Sequence, residues 1–206
     1  VELSRSFYMG KYPVTQGLWE SVMGSNPSHF KGSTRPVEKV SWLDCVAFCN
    51  KLSEKEGLEK AYTINGQEVD CNFDSEGYRL PTESEWEYCS RSGESFIYSG
   101  SDSCGEVGWT RENSGKETHP VGQKKCNGFG LCDMSGNVFE WVWDWYGGYS
   151  STSERDPTGP SRGLNRVYRG GSFYCCVLDA RVATRGWDNP SIRVNLHGFR
   201  LLRTIR

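Results

Sequence analysis

The sequence predicts an α+β fold organised as one domain of two main helices, short antiparallel strands and long loops. Three observations carry that expectation. A chain of 206 residues buries roughly 70% of the surface its unfolded form exposes, which suits one core rather than two. Two segments open with side-chain helix caps and keep helical spacing afterwards. The apolar content of 36% is concentrated in 8 Trp, 10 Tyr and 9 Phe, while 24 Gly and 8 Pro punctuate the chain with turns.

In chain order, "RSFYMGKYPV" alternates as a strand does, and Thr15 caps a short helix, QGLWESVMG, that stops at Gly24. After a loop from Gly24 to Pro36, Ser41 caps the main helix. Trp42, Cys45, Val46, Cys49 and Leu52 recur there at helical spacing, and Gly57 closes it. Thr82 and Glu85 match a capping box, so a second helix runs to about Arg91. Gly93 to Asp133 reads as turns. "GNVFEWVWDWYG" then places Trp141, Trp143 and Trp145 at period two on one strand face, as core. Neither a repeat nor a low-complexity tract occurs.

Charge narrows the partners. The 24 Lys and Arg nearly balance 26 Asp and Glu, and no basic stripe forms, so nucleic acid is not expected as a partner. No apolar run is long enough to span a membrane. The first residues, VELSRSFYMG, lack the apolar centre of a secretion signal. Nine Cys include no CxxC pair and no Cys/His zinc spacing, and they read as small buried thiols.

Six ordered stretches, "FYMGKYPVTQGLWESVMG", "PVEKVSWLDCVAFCNKLS", "YRLPTESEWEYCSR", "HPVGQKKCNGFGLCDMSGNVFEWVWDWYG", "RVYRGGSF" and "GFRLL", resemble the landmarks of the formylglycine-generating-enzyme (sulfatase-modifying factor) family. The resemblance covers nearly the whole chain. It implies a C-type-lectin-like fold whose working surface is built by loops near the C-terminal end. Catalytic members carry two cysteines in a pattern like RGGSxxCxxxxC that bind copper and activate oxygen. Here Arg169 to Ser172 supply RGGS and Cys175 stands at the first position, but Ala180 stands at the second. The adjacent Cys176 cannot reproduce the convergent geometry of the lost thiol. No redox cofactor is therefore expected. A related branch, the iron-dependent sulfoxide synthases, needs clustered histidines, and His29, His119 and His197 share no ligand-like spacing.

A third branch comprises the variable proteins of diversity-generating retroelements, whose C-terminal segment is rewritten at template adenines. An AAC or AAT codon mutated in this way never yields Lys, Glu, Gln, Met or Trp. Those five types fill 39 of the first 172 positions, so a window of 25 residues should hold about five or six. Phe173 to His197 holds one, Trp187. The expected ligand-binding set is Tyr174, Cys175, Cys176, Leu178, Asp179, Gly186, Trp187, Asp188, Asn189, Ser191, Ile192, Val194, Asn195, Leu196 and His197, interleaved with residues that read as fixed: Ala180, Arg181, Val182, Ala183, Arg185, Pro190, Arg193 and Gly198 to Arg200. Tyr174, Trp187 and Arg193 are the expected anchors.

The family also implies a structural calcium site from the Asp133 side chain, the carbonyls of Gly136 and Val138, and Glu140. On the residues alone, Asp133 capping the turn and Glu140 pairing with an arginine is an equal alternative. Arg169, Arg185 and Arg200 read as structural. The chain is thus expected to be a monomeric, noncatalytic binding protein with a variable region at about 173–197. By family implication its partner is a protein on another cell or host surface. It would sit on the extracellular face through a lipid anchor outside this sequence. A formylglycine-generating oxidoreductase acting on a sulfatase cysteine, and a binding module of fixed specificity, are the competing expectations.

Overall fold

The three longer helices start where a side chain replaces the hydrogen-bond partner that a first turn lacks. In the computed structural model, which describes residues 1–205, the Leu18 amide donates to Thr15 Oγ1 at 3.3 Å and opens α1 (Gln16–Met23). Ser41 and Asp44 exchange reciprocal bonds of 2.9 and 3.1 Å to open α2 (Trp42–Lys55). That capping box was legible in the sequence once the N3 position is allowed to be Asp. Gly24 ends α1 with φ of 82°.

Preceding these helices is β1 (Phe7–Met9), much shorter than the alternating stretch predicts. After α2 come the hairpin β2 (Tyr62–Asn65) and β3 (Glu68–Cys71), then β4 (Tyr78–Arg79). The Thr82 and Glu85 capping box opens α3 (Glu83–Arg91) as expected. The turn-rich stretch holds α4 (Cys104–Val107) and β5 (Gly108–Trp109). The C-terminal half supplies β6 (Ser135–Gly136), β7 (Phe139–Trp145), β8 (Arg166–Arg169), a 3₁₀ turn (Val177–Ala180), β9 (Arg185–Asp188), β10 (His197–Phe199) and β11 (Leu202–Thr204).

The largest sheet has the order β10-β7-β8-β9, and β1-β11-β4 ties the two ends of the chain together. Most pairings are antiparallel, but β10 runs parallel to β7 and β5 parallel to β6. The main core lies between α1, α2 and this sheet: Trp19 stacks on Phe48 at 5.0 Å, and both meet Phe199 edge-on. Two indoles lock helix to sheet, Trp42 Nε1 donating to the Val142 carbonyl and Trp141 Nε1 to that of Val40.

The tryptophan-rich strand departs from its expectation. Trp141 is buried, but Trp143 and Trp145 are only half-buried, while Glu140, Val142 and Asp144 on the opposite face are buried as well. The register shifts between Trp141 and Trp145, so β7 is a central strand covered on both sides. Its outer tryptophans, with Trp42, enclose the Arg166 guanidinium at 3.6 to 4.8 Å. The cysteines also need one correction. Cys45, Cys49, Cys89 and Cys104 are buried thiols, but Cys126 and Cys132 form a disulfide, brought together by the tight Asn127–Gly130 turn.

Candidate functional site

Three arginines hold the frame around the variable region through forked bonds, though Arg169 keeps a buried Nε without a partner. Arg169, at the end of β8, bonds Glu87 and the carbonyls of Val182 and Ala183. Arg185 reaches Glu83 and the Gly147 carbonyl. Arg200 bonds Glu140 and the carbonyls of Gly10, Lys11 and Cys132. Gly171, in the RGGS turn at φ of 80°, lets the backbone pass Ala180 so closely that a Cβ would lie 2.9 Å from that residue's own. Ala180 is buried and Val182 nearly so. Of the residues read as fixed, Ala180 and Val182 pack inward, whereas Arg181, Ala183 and Arg193 are exposed and Pro190 is half-buried.

Between them the predicted binding residues face outward. Tyr174, Leu178 and Trp187 expose 52%, 58% and 48% of their surface. Asn189 and Ser191 are exposed, while Cys175, Cys176, Asp179, Gly186, Asp188, Ile192, Val194, Asn195 and Leu196 are half-buried. Asp188 and Asp179 converge on the Tyr168 phenol, whose pKa is raised by burial first and then by their negative charge. Trp187 stacks on Tyr146 at 4.2 Å. The structure thus gathers one group around Tyr168 and β9. A second group, residues 189–196, leans on the start of α2: the Leu43 amide donates to the Pro190 carbonyl and the Lys39 amide to that of Val194.

Two predicted members are corrected. His197 is 3% exposed; it sits in β10 against Phe139, Trp141 and Tyr168, because that strand must enter the sheet to pair with β7. Burial holds its pKa down at about 4. Arg193 is exposed, but both of its bonds go to Asp44, at 2.6 and 2.7 Å. It fastens the 189–196 loop and is not a free anchor.

The thiols do not form a reactive pair. Cys175 Sγ receives the Ser172 amide and bonds the Ser172 carbonyl, and burial pushes its pKa up to about 11, so it is a neutral thiol near pH 7. Cys176 donates instead to Asp179 at 3.4 Å. Among the described residues no three His, Cys, Asp or Glu side chains gather as a metal site.

The residues expected to hold calcium do not fit a cation either. Glu140 receives Arg200 on both oxygens, at 3.0 and 2.8 Å, and Trp86 Nε1 on one. A buried guanidinium already occupies the place of positive charge. Asp133 receives the Gly122 amide at 2.7 Å and Asn137 Nδ2 on its other oxygen. Gly136, at φ of 81°, makes the turn that lets β6 lie against Trp109, and Val138 is core. The turn-cap and arginine-pair alternative is the arrangement found.

The sequence reading passed over Tyr168, Phe139 and Tyr146, which back the variable residues. Tyr168 sits one residue before the RGGS motif, and the period-two pattern of β8 was the signal that could have turned it toward β9.

Comparisons with known proteins agree with this architecture. Residues 1–205 match the sulfatase-modifying factor enzyme 1-like domain. Treponema denticola variable protein 1 superposes with a TM-score of 0.96 at 36% identity, over all of this chain and 86% of that one. The chaperone protein LppX of Paenibacillus barcinonensis is 39% identical over 87% of this chain and 74% of its own length. The formylglycine-generating enzyme of Mus musculus is 31% identical over 91% of this chain, which spans 49% of that protein. The chain belongs to the sulfatase-modifying factor enzyme 1-like domain family.

Proposed function

We infer that this chain is a noncatalytic, ligand-binding protein of the receptor or adhesion type, whose residues at about 173–197 are diversified by a retroelement. One observation carries the reading. The segment depleted of Lys, Glu, Gln, Met and Trp also supplies the 3₁₀ turn, the edge strand β9 and their loops, while the two larger cores behind it draw on other residues and the segment buries few apolar side chains of its own, Phe173, Ala180 and Val182. Such a division lets binding residues change without spending the roughly 5 to 15 kcal/mol that keep a domain folded. Likeness to a Treponema variable protein over the whole chain supports it. The partner is a protein on another cell or host surface, met by a monomer held at the cell surface by a lipid anchor.

Sequencing the gene's neighbourhood tests the reading. A reverse transcriptase gene and a near-copy of the 3′ coding region differing at adenines are expected. A neighbourhood with neither overturns it in favour of a binding module of fixed specificity. The family membership and Cys175, standing where a catalytic cysteine falls, favour a second reading as a copper- and oxygen-dependent formylglycine-generating enzyme. Copper-dependent turnover of a sulfatase-derived cysteine peptide, abolished by Cys175→Ala, would establish that reading. The neutral thiol of Cys175 and the buried Ala180 are the reasons to expect none.

A further inference from the structure

A pocket of about 90 Å³ opens in the middle of the variable surface, between β8, β9 and the 3₁₀ turn. Its walls are the rings of Phe139 and Tyr168, whose centroids lie 4.5 Å apart. Both belong to the scaffold, whereas Asp179 and Gly186 at its edge belong to the variable set. Gly186 keeps it open: a Cβ there would stand 2.2 Å from Tyr168 Cε2 and 2.8 Å from its hydroxyl. Any other residue at 186 must push that ring aside.

The polar groups around this pocket are of unequal availability. The guanidinium of Arg185, which also lines it, is committed to Glu83 and the Gly147 carbonyl. Arg169 is held by Glu87, Glu83 and two carbonyls; its Nε has no partner but is buried, out of a ligand's reach. The Thr184 hydroxyl donates to the Leu178 carbonyl. The acceptors are free by contrast. Asp179 receives only the Cys176 thiol, and Asp188 only its neighbour's amide. Neither makes an ion pair among the described residues, and the Tyr168 hydroxyl has no hydrogen-bond partner there. With the reachable donors committed and the acceptors open, a fitting ligand is one that donates. Two aromatic faces beside an unpaired carboxylate select a cation among donors, because ring quadrupole and charge act together.

We propose that this pocket takes a primary ammonium group, the side chain of a lysine on a protein partner, and that Gly186 is the residue that admits it. The methylene stem would lie on Phe139 and Tyr168 while the ammonium meets Asp179 and the Tyr168 hydroxyl. This rests on the ligand-binding reading above and gives this copy its chemistry. A sister copy with another residue at 186 would lack the pocket and read a different feature.

The test is titration of the isotope-labelled protein with n-butylammonium chloride, following backbone amide shifts, with n-butanol and sodium butyrate as controls. Butylammonium is expected to give saturable shifts at residues 168, 179 and 184–187 at millimolar concentration, and the controls none. Asp179→Asn should weaken binding about tenfold, and Gly186→Ala should abolish it. If Gly186→Ala does not fold, Asp179→Asn decides alone. The proposal is overturned by no saturable shift, by n-butanol shifting the same amides equally, or by Asp179→Asn binding as tightly as the parent. None of these results touches the broader reading, which stands or falls on the genomic neighbourhood.

Discussion

Arg200 and Glu140 form a two-bond ion pair with almost no exposed surface, the guanidinium 0% and the carboxylate 1% accessible. The pair joins the GFRLL end of the chain to the middle of β7, and Arg200 extends it to carbonyls of the first strand's exit and of Cys132. Removing one partner leaves a buried, uncompensated charge. Arg200→Leu is therefore expected to cost about 3–5 kcal/mol. Arg200→Leu with Glu140→Leu should recover part of that loss, measured by denaturant unfolding of both variants and their combination. A double variant no more stable than Arg200→Leu would show that the charge pair is not what holds this junction.

The same pair sets an expectation for calcium. A site that bound the ion at a hundredfold excess over its dissociation constant would gain about 2.7 kcal/mol, which for a domain of this size raises the melting midpoint by roughly 5–10 °C. With Glu140 neutralised by Arg200, midpoints in calcium and in chelator are expected to coincide. A rise of several degrees in calcium would show that Arg200 yields the carboxylate to the ion.

Helix starts were readable because a cap is a local device: Thr15, Ser41 and Thr82 each satisfy an amide two or three residues on, so no distant part of the chain enters the inference. Inward and outward positions of the variable region fell as expected at Ala180, Val182, Tyr174 and Leu178, but Arg181 and Ala183, read as fixed, are exposed; all these residue types are reachable from an asparagine codon, so composition does not separate them. Three failures at the site are long-range, unlike the missed Cys126–Cys132 disulfide, whose partners are six residues apart. Arg193 read as a free anchor because its partner, Asp44, is 149 positions away. Glu140 read as a possible ligand because Arg200 is 60 positions away. His197 read as exposed because nothing nearby reveals that its strand pairs with β7. The Tyr168 pocket needed Gly186 brought to the ring by the β8–β9 pairing and Asp179 by the 3₁₀ turn, neither of which the local sequence reveals.

For the binding surface, simultaneous replacement of Tyr174, Asp188, Ile192 and Asn195 by Ala is expected to leave the fold intact. Tyr174 is exposed and the other three are half-buried, and surface substitutions shift stability by about 0.5 kcal/mol or less each. The summed effect should lower the melting midpoint by no more than about 4–8 °C. Loss of cooperative unfolding would place these residues in the core and end the division between scaffold and recognition.

His197 should behave in the opposite way, and pH separates it from its neighbours. Its pKa is about 4 in the folded protein against 6.5 for the free side chain, and burial is the cause. Between those values the unfolded chain holds a proton that the folded chain lacks, so stability falls as pH drops from about 6.5 toward 4. At 1.36 kcal/mol per pKa unit the full loss is about 3 kcal/mol. Asp144 and Glu38 act against it. Burial raises both to about 7, so the folded protein holds their protons where the unfolded chain has released them, and they favour folding more as pH drops. The wild type's net slope therefore mixes opposite contributions, but the difference between wild type and His197→Phe isolates one of them. Phe is a residue that adenine changes in an asparagine codon also reach, and it keeps the ring against Phe139, Trp141 and Tyr168. Whatever its stability at pH 7, the variant is expected to gain about 3 kcal/mol on the wild type as the pH is lowered to 4, measured by urea unfolding at matched ionic strength. Parallel stability curves for the two proteins across that range would mean that His197 titrates in water, on the variable surface and not beneath it.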